Sequence, residues 1–401
     1  MDKDSIMNTL ISRRNFLKLS ATVGVGMVSA RTAHTAPIIP TAQMKYHYTG
    51  GNVKTKAYAA FDESGELRPW EFERRPVGDN DILIEIKYAS ICHSDIHQEK
   101  GDWGKMTYPQ VPGHEIVGIV VAVGKNVTKF KIGDRAGVGC MVDSCLECES
   151  CKNGLEQHCD NDQTLFTYGN PDNREPTSIT QGGYSSHIVV RDHFAVHIPE
   201  NIKLQEAAPL LCAGITTYSP LMKYKINKGD KVGVVGIGGL GHLAVKIAIA
   251  KGAKVYAFTT TAEKEQDIRN LGVEEVILVD DLSKLQPYKG KLDYMIATVP
   301  EQFDAAQYAA TVKPFGYFTV VGMGKNFMLD ISNIVMSQSR VNFNASLIGG
   351  IAETQELLEF CSQTGVRPQI QMISANQINQ AWKDVVAKKA RFRYVIDAAT
   401  I

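Results

Sequence analysis

The sequence predicts an α/β protein built from a β-rich first domain and a second domain with a doubly wound parallel sheet. In the first part, strand-like runs such as residues 82–86 and 116–123 are separated by tight turns, and no clear helical period is found. From about residue 205, apolar runs alternate with helical stretches, which is typical of a parallel sheet with crossover helices. The length of 401 residues exceeds the usual single core and also favours two domains.

The domain boundaries follow this change in pattern. The first domain is expected over residues 45–204 and the second over residues 205–345. Strands of the second domain are expected at 231–235, 254–258, 276–279, 292–296 and 317–321, with a helix over 240–251. A helix over 354–364 and a strand over 392–397 are expected to return to the first domain, so that residues 346–401 complete it.

The charge balance argues against two classes of partner. The chain has 43 basic and 43 acidic residues, so its formal net charge is zero. This balance gives no support for binding to nucleic acid or to an anionic membrane surface. Beyond the N-terminus, no apolar run reaches the roughly 18 residues that a membrane-spanning helix needs. We therefore expect a globular chain without a membrane span.

The first 36 residues resemble a bacterial export signal. Residues 12–18 read S-R-R-N-F-L-K, the pattern of the twin-arginine motif, and a mildly apolar stretch with small residues follows. This pattern predicts recognition by the twin-arginine export machinery and a periplasmic location. The alternative is a cytoplasmic protein that carries an amphipathic extension, or one whose translation starts later, at Met44.

A glycine-rich motif predicts a dinucleotide site. Residues 236–241 read G-I-G-G-L-G, directly after a predicted strand and at the start of a predicted helix. Such glycines permit the tight turn and the close approach of a pyrophosphate, and the start of the helix attracts the phosphates. The predicted contacts are Gly236, Gly238, Gly239, Leu240 and Gly241.

The end of the next strand distinguishes the two nicotinamide cofactors. An NAD site usually has an acidic residue there, which accepts hydrogen bonds from the ribose hydroxyls. Here the strand is followed by Thr259, Thr260 and Thr261, with Lys264 shortly after. Hydroxyls and an ammonium suit a 2′-phosphate, so NADP(H) is predicted. The alternative is that Glu263 serves NAD instead.

Four cysteines lie within fifteen residues. Cys145, Cys148, Cys151 and Cys159 have the spacing C-x2-C-x2-C-x7-C. This spacing suits four thiolates on one structural zinc, whereas two disulfides are the competing interpretation. A second set is dispersed along the chain and consists of Cys92, His114, Glu115 and Cys212. Two thiolates, an imidazole and a carboxylate from separate segments are typical of a catalytic zinc, although each alone would usually be a buried structural residue.

On these residues the chain resembles the zinc-dependent medium-chain alcohol dehydrogenases, and among them the cinnamyl alcohol dehydrogenases. The resemblance extends from about residue 54 to the end. Besides the cysteine sets and the glycine motif, it is carried by residues 92–97 (C-H-S-D-I-H), 108–115 (Y-P-Q-V-P-G-H-E), 181–184 (Q-G-G-Y) and 209–220. It implies a GroES-like catalytic domain, with a Rossmann domain inserted before its final segment. A homodimer is also expected.

The resemblance implies roles for individual residues. Cys92, His114 and Cys212 would hold the catalytic zinc, and Glu115 would be a carboxylate that can bind the zinc or leave it. Asp95 would orient zinc ligands, with an ordinary turn carboxylate as the alternative, and Trp103 would line the substrate pocket or else pack in the core. The residues further expected at the cofactor are His93, Thr216, Val321 and Gly322.

The predicted activity is hydride transfer between NADP(H) and a small aldehyde or primary alcohol, with two zinc ions per chain. Ser94 is expected to pass a proton to the developing alkoxide, and His97 is expected to connect it to solvent as the general acid. One alternative is an NAD-dependent secondary-alcohol or polyol dehydrogenase. A non-enzymatic binding protein on the same fold is another.

Overall fold

The structure is a computed structural model, and it describes residues 48–324 and 332–401. The predicted export segment, residues 1–36, lies outside the described residues. Within those residues, no helix is both long enough and apolar enough to cross a membrane.

The first part of the chain is rich in short strands. They are β1 (Val53–Ala60), β2 (Leu67–Arg74), β3 (Asp81–Ser90), β4 (Ile116–Val123), β5 (Arg135–Val138), β6 (Met141–Asp143), β7 (Leu165–Phe166), β8 (His187–Arg191) and β9 (Ala195–His197). β1 pairs with β2, and β6 with β7, in separate antiparallel ribbons. In the main sheet, β3 pairs with β4 and β8, and β5 lies between β4 and β9, all antiparallel.

Three short helices interrupt this region, namely α1 (His93–Glu99), α2 (Glu149–Lys152) and α3 (Leu204–Ala207). The sequence showed no helical period in this region, and the expectation of strands and turns alone was therefore wrong for residues 93–99. Two turns are too few for a periodic apolar face to show in the sequence. α1 forms because the Asp95 carboxylate accepts the backbone N–H of Cys92 at 2.9 Å, which satisfies one of the free donors at the helix start.

The second sheet is entirely parallel. Its strands are β10 (Lys231–Val235), β11 (Lys254–Thr259), β12 (Glu275–Leu278), β13 (Leu292–Ala297), β14 (Val312–Val320) and β15 (Asn342–Ala345). They lie in the order β12-β11-β10-β13-β14-β15. The helices of this part are α4 (Ala213–Lys223), α5 (Gly241–Ala250), α6 (Glu265–Arg269), α7 (Ala305–Ala309) and α8 (Asn333–Ser339). The strand order reverses between β10 and β13, where open parallel sheets bind ligands at the carboxyl ends of their strands.

The tail returns to the first sheet. It contains α9 (Ile351–Thr364), β16 (Ile370–Ile373), α10 (Ile378–Val386) and β17 (Arg393–Asp397). β17 pairs with β16 and, antiparallel, with the end of β3. The fold class predicted from the sequence, a β-rich domain with a doubly wound parallel sheet, is confirmed. The exact domain boundaries at 204/205 and 345/346 stay predictions.

The largest buried apolar cluster joins the two sheets. It runs from Ile84 and Val120 in the first sheet, through Leu211, to Val234 and Ile296 in the second. The segment that connects the sheets is therefore buried on both sides, and side chains on it are held firmly in place.

Candidate active site

Four potential metal donors from separate elements meet at the end of this buried segment. Cys92 precedes α1, His114 and Glu115 precede β4, and Cys212 precedes α4. All four are buried, and one ligand atom from each lies within 4.8 Å of those of the others. Two sulfurs, an imidazole and a carboxylate in this compact arrangement fit a zinc ion. The pKa of Cys92 is lowered well below its usual range, chiefly by a hydrogen bond from Cys212 and also by His114, which favours the thiolate that a metal binds.

A single carboxylate organises these donors. Asp95 is fully buried, and its two oxygens accept hydrogen bonds from both sides of the site. Oδ1 lies 2.9 Å from His114 Nδ1 and 2.7 Å from the hydroxyl of Tyr168, and Oδ2 accepts from Tyr184 at 2.8 Å. Because His114 Nδ1 is engaged in this way, its Nε2 is left for a metal. The expectation that Asp95 orients the donors thus has a geometric basis. Tyr168 was not singled out from the sequence, and Tyr184 was noted only as part of the motif at 181–184, without a role.

Glu115 has a second partner that the sequence did not reveal. Its Oε2 contacts the guanidinium of Arg393 on β17, and its Oε1 accepts the backbone N–H of Ala213 at 3.2 Å. Burial raises the pKa of Glu115 to about 7, although the nearby Arg393 lowers it. The carboxylate is therefore shared between the donor set and a buried cation.

The two predicted proton-relay residues lie on one helix. Ser94 and His97 are three residues apart on α1, which places them on the same face. His97 Nδ1 lies 2.8 Å from Asp102, and its ring stacks on His93 with centroids 4.8 Å apart. Within the described residues, His97 Nε2 is buried without a hydrogen-bond partner. Asp102 was missed from the sequence, because it lies beyond the end of α1 and meets His97 only through the turn that follows the helix.

Trp103 lies beside this relay and reaches the second domain. Its ring is 5.5 Å from that of His97, and its indole N–H donates to the carbonyl of Gly324 at 3.3 Å. The ring is 39% exposed, so Trp103 is not an ordinary core tryptophan. An exposed ring next to the relay is consistent with a place in the substrate pocket.

The glycine motif forms the turn between β10 and α5. Gly236 adopts φ +82°, which favours glycine, and a Cβ on Gly241 would lie 2.0 Å from the carbonyl oxygen of Gly236. The backbone can thus pack closely here and leave Gly238, Gly239 and Leu240 at the start of α5, where phosphates bind.

The remaining predicted cofactor residues lie around this turn. Thr216 is on α4, one helical turn after Cys212, whose carbonyl accepts its N–H at 2.9 Å. Val321 and Gly322 follow β14 and both donate to the carbonyl of Ala297 at the end of β13. The structure therefore brings Thr216 next to the donor set, and it places Val321 and Gly322 beside the point where the strand order reverses.

The residues after β11 differ from one another in exposure. Thr259 is buried and its hydroxyl accepts the N–H of Thr261 at 3.1 Å, whereas Thr260 and Glu263 are exposed. Lys264 is only 6% exposed, and its ammonium lies 6.0 Å from the ring of Phe392. Burial, followed by the charge of Arg391, lowers the pKa of Lys264. Among the described residues, no carboxylate forms an ion pair with this ammonium, so it suits an anionic ligand.

The four clustered cysteines converge on one point. The sulfurs of Cys145 and Cys151 are 3.8 Å apart, those of Cys148 and Cys159 3.9 Å, and those of Cys145 and Cys159 3.4 Å. Four thiolates on one zinc would lie about 3.8 Å apart, whereas a disulfide bond measures about 2.05 Å. All eight cysteines are free thiols. The geometry therefore fits a tetrahedral metal site and speaks against the disulfide alternative.

Backbone N–H groups support the thiolate form of Cys145, whereas burial raises the pKa of Cys151 to about 12. Cys145 Sγ accepts from the N–H groups of Glu147 and Cys148, each at 3.4 Å. These bonds lower the pKa of Cys145 to about 6.

Comparison with known proteins shows the same two-part organisation. Residues 78–200 match the family described as "Alcohol dehydrogenase GroES-like domain", and residues 239–363 match "Zinc-binding dehydrogenase". NADP-dependent alcohol dehydrogenase C 1 of Mycolicibacterium smegmatis is 44% identical over 86% of this chain and 98% of its own length. The chain belongs to the zinc-dependent medium-chain alcohol dehydrogenases. The resemblance stated from the sequence is thereby confirmed.

Other members of the family are similar over the same span. Aldehyde reductase YahK of Escherichia coli is 43% identical, with 87% of this chain and 99% of that protein covered. Among solved structures, CAD from Helicobacter pylori, complexed with NADP(H), has a TM-score of 0.82 at 42% identity and covers 87% of this chain and 99% of its own. A cinnamyl alcohol dehydrogenase of Sorghum bicolor has a TM-score of 0.83 at 37% identity and covers 86% and 98%. This alcohol dehydrogenase therefore has the GroES-like and Rossmann domains of its family.

Proposed function

We propose that this alcohol dehydrogenase transfers hydride between NADP(H) and a primary alcohol or its aldehyde. One observation carries the proposal: a single side chain, Arg393, contacts the donor set and lies next to the dinucleotide turn. Its guanidinium touches Glu115 of the donor set, and a Cβ on Gly239 of the dinucleotide turn would lie 2.8 Å from its Nη1. A nicotinamide placed by that turn would therefore reach a substrate at the metal.

The residues present fit both absent groups. Cys92, His114 and Cys212 would hold a catalytic zinc, with Glu115 as an exchangeable fourth donor, and the four clustered cysteines would hold a structural zinc. When bound, the catalytic zinc acts as a Lewis acid on the substrate oxygen, and the nicotinamide supplies the hydride. The names of the similar proteins, an NADP-dependent alcohol dehydrogenase, an aldehyde reductase and a structure complexed with NADP(H), support this choice.

The chain itself supplies the proton. We assign Ser94 Oγ as the group that donates to the product oxygen and is reprotonated through His97. Because Asp102 accepts from His97 Nδ1, the second nitrogen, Nε2, is the one left to carry the proton. His97 lies between the buried donors and the partly exposed Trp103, which suits a group that connects the site to solvent.

The preference for NADP(H) over NAD(H) rests on Lys264. Its buried ammonium stands after β11, where a 2′-phosphate would lie, and the competing carboxylate, Glu263, is exposed. Purified, zinc-replete protein should be tested with a panel of aldehydes and both cofactors. The proposal expects turnover with NADPH and a much weaker reaction with NADH. A clear preference for NADH with secondary alcohols or polyols would instead support the alternative dehydrogenase, and no turnover at full zinc occupancy would support a binding protein.

We also propose that the enzyme is exported through the twin-arginine machinery, on the basis of the S-R-R-N-F-L-K motif at residues 12–18. Fractionation of cells should find the mature form in the periplasm, and replacing Arg13 and Arg14 by lysine should retain it in the cytoplasm.

A homodimer is proposed because β15 forms an edge of the parallel sheet. Light scattering at several concentrations would show a monomer if this is wrong.

A further inference from the structure

We propose that Tyr168 is a positioning residue that couples the four-cysteine site to the catalytic metal site, so that metal in the first tightens the hold on metal in the second. The inference rests on the proposed function only in taking Cys92, His114 and Cys212 as ligands of one metal.

The hydroxyl of Tyr168 lies behind His114, one of the catalytic metal donors, on the side of its Nδ1. It donates to Asp95 Oδ1 at 2.7 Å and lies 3.2 Å from His114 Nδ1, and its ring stacks on that imidazole with centroids 5.7 Å apart. Tyr168 is buried. Both the angle of the imidazole and the proton on Nδ1 are therefore fixed partly by this one hydroxyl.

The chain places Tyr168 at the exit of the four-cysteine lobe, which we define as residues 144–164. β6 leads into the lobe and β7 leads out of it, and the two are paired, with Met141 opposite Phe166. Tyr168 lies two residues after the end of β7. Its neighbour Thr167 donates to the carbonyl of Cys140 at 3.0 Å.

The lobe has little apolar content with which to hold this ribbon. α2 has four residues, and the buried residues of the lobe are Ser144, Cys151, Glu156 and Cys159. The hydroxyl of Ser144 lies 3.3 Å from Cys151 Sγ. A two-stranded ribbon is only marginally stable by itself, and outside the lobe this one is held by Met141, which packs in the largest apolar cluster, and by the Thr180 hydroxyl, which donates to the carbonyl of Phe166 at 3.0 Å. Metal bound to the four thiolates would therefore restrain the ribbon, and with it the position of the Tyr168 hydroxyl.

A second tyrosine provides a matched control. The hydroxyl of Tyr184 donates to Asp95 Oδ2 at 2.8 Å, so it supports the same carboxylate from the other side. Its segment is anchored elsewhere: Tyr58 on β1 donates to its carbonyl at 2.9 Å, and Arg74 on β2 donates to the carbonyls of Gln181 and Gly182. Tyr184 should therefore support the catalytic site without depending on the lobe.

The test measures the rate at which zinc leaves the catalytic site, using a chromogenic chelator in excess. The release phase of this site is the one that disappears in Cys92→Ser. Loss of an outer contact to a metal ligand typically weakens metal binding about 10- to 100-fold. We expect Tyr168→Phe and Tyr184→Phe each to speed this phase about tenfold or more. Cys148→Ser, which empties the lobe, should speed it as well.

The double variants show whether the effect of the lobe on zinc release passes through the Tyr168 hydroxyl. In Tyr168→Phe the hydroxyl is already gone, so adding Cys148→Ser should change the rate by less than about twofold. In Tyr184→Phe the effect of Cys148→Ser should persist in full. If Cys148→Ser does not fold, Ser144→Ala is the milder perturbation of the lobe, and the same comparison applies.

Two results would overturn the coupling: no effect of emptying the lobe on the catalytic phase, or an equal effect with and without the Tyr168 hydroxyl. Urea unfolding of the metal-free variants separates positioning from general stability, because a merely structural role would lower the free energy of unfolding in proportion to the increase in the zinc-release rate. If the wild-type protein shows no zinc-release phase that Cys92→Ser removes, then the assignment of Cys92, His114 and Cys212 as ligands of one metal fails. That result is distinct from a failure of the coupling alone.

Discussion

Replacing Lys264 with glutamine should abolish the discrimination between NADPH and NADH. Lys264 is 6% exposed, and its ammonium has no carboxylate partner among the described residues. Burial lowers its pKa, then the charge of Arg391 does so further, whereas Asp267 raises it. A 2′-phosphate at this position would remove an unfavourable excess of positive charge, and glutamine would leave the phosphate without its cation.

The size of the effect follows from one charge-assisted hydrogen bond. Such a bond contributes about 1.5–3 kcal/mol, and about 1.4 kcal/mol corresponds to a factor of ten in affinity. The KM for NADPH should therefore rise about 10- to 100-fold, while the KM for NADH, which has no 2′-phosphate, should change by less than about twofold. Initial rates at saturating aldehyde, with each cofactor varied, give both values.

Lys254→Gln is the matched control for this experiment. Lys254 is an exposed lysine at the opposite end of β11, away from the ligand edge of the sheet. It should leave both KM values unchanged. Equal losses for NADPH and NADH in Lys264→Gln, or no loss at all, would refute the assignment of the phosphate to this ammonium.

Three further predictions concern the metal, the proton and pH. Cys92→Ala should abolish turnover and reduce zinc from two ions to one per chain by elemental analysis; retention of both ions would contradict its role as a ligand. Ser94→Ala should lower kcat about 100-fold or more with little change in zinc content, and a kcat near the wild-type value would remove Ser94 from the relay. His242 donates from Nδ1 to the carbonyl of Gly238 and accepts from Gln369 N–H on Nε2, and burial, helped by Arg393, lowers its pKa from 6.5 to about 3. Because the pKa of His242 is lower in the folded protein, the unfolded chain takes up a proton on this side chain at a higher pH. The stabilisation by His242 is therefore complete above about pH 6.5 and declines as the pH falls towards 3. The difference in urea unfolding free energy between wild type and His242→Gln should therefore shrink from pH 7 to pH 5, and a constant difference would show that His242 does not titrate in this way.

The sequence was informative where function follows from local spacing. The four clustered cysteines and the glycine motif are each compact, so their residue types and short intervals leave few possible geometries for the site they form. The parallel strands were equally readable, because fully buried strands are continuous apolar runs: β10 was predicted at its observed bounds, and β11 and β13 to within one residue.

Contacts between distant segments could not be read in this way. Arg393 lies in a strand-like run, and nothing in its neighbours indicates that it would meet Glu115, which is 278 residues earlier. Tyr168 and Tyr184 likewise reach Asp95 only because a ribbon and a loop fold back over α1. The start of α1 is set by a local capping hydrogen bond between Asp95 and Cys92, which leaves no periodic pattern in the sequence.

The pairing of the last strand with β3 constrains the order of events during synthesis. The N–H of Ile91, next to Cys92, donates to the carbonyl of Tyr394 at 2.9 Å, and Val395 lies opposite Ser90. On the ribosome, the parallel sheet can close once residue 345 has emerged, but the first sheet must wait for β17. Until then the nascent chain carries an unfinished edge beside Cys92, one of its metal donors. The buried pair of Glu115 and Arg393 forms only after β17 has emerged.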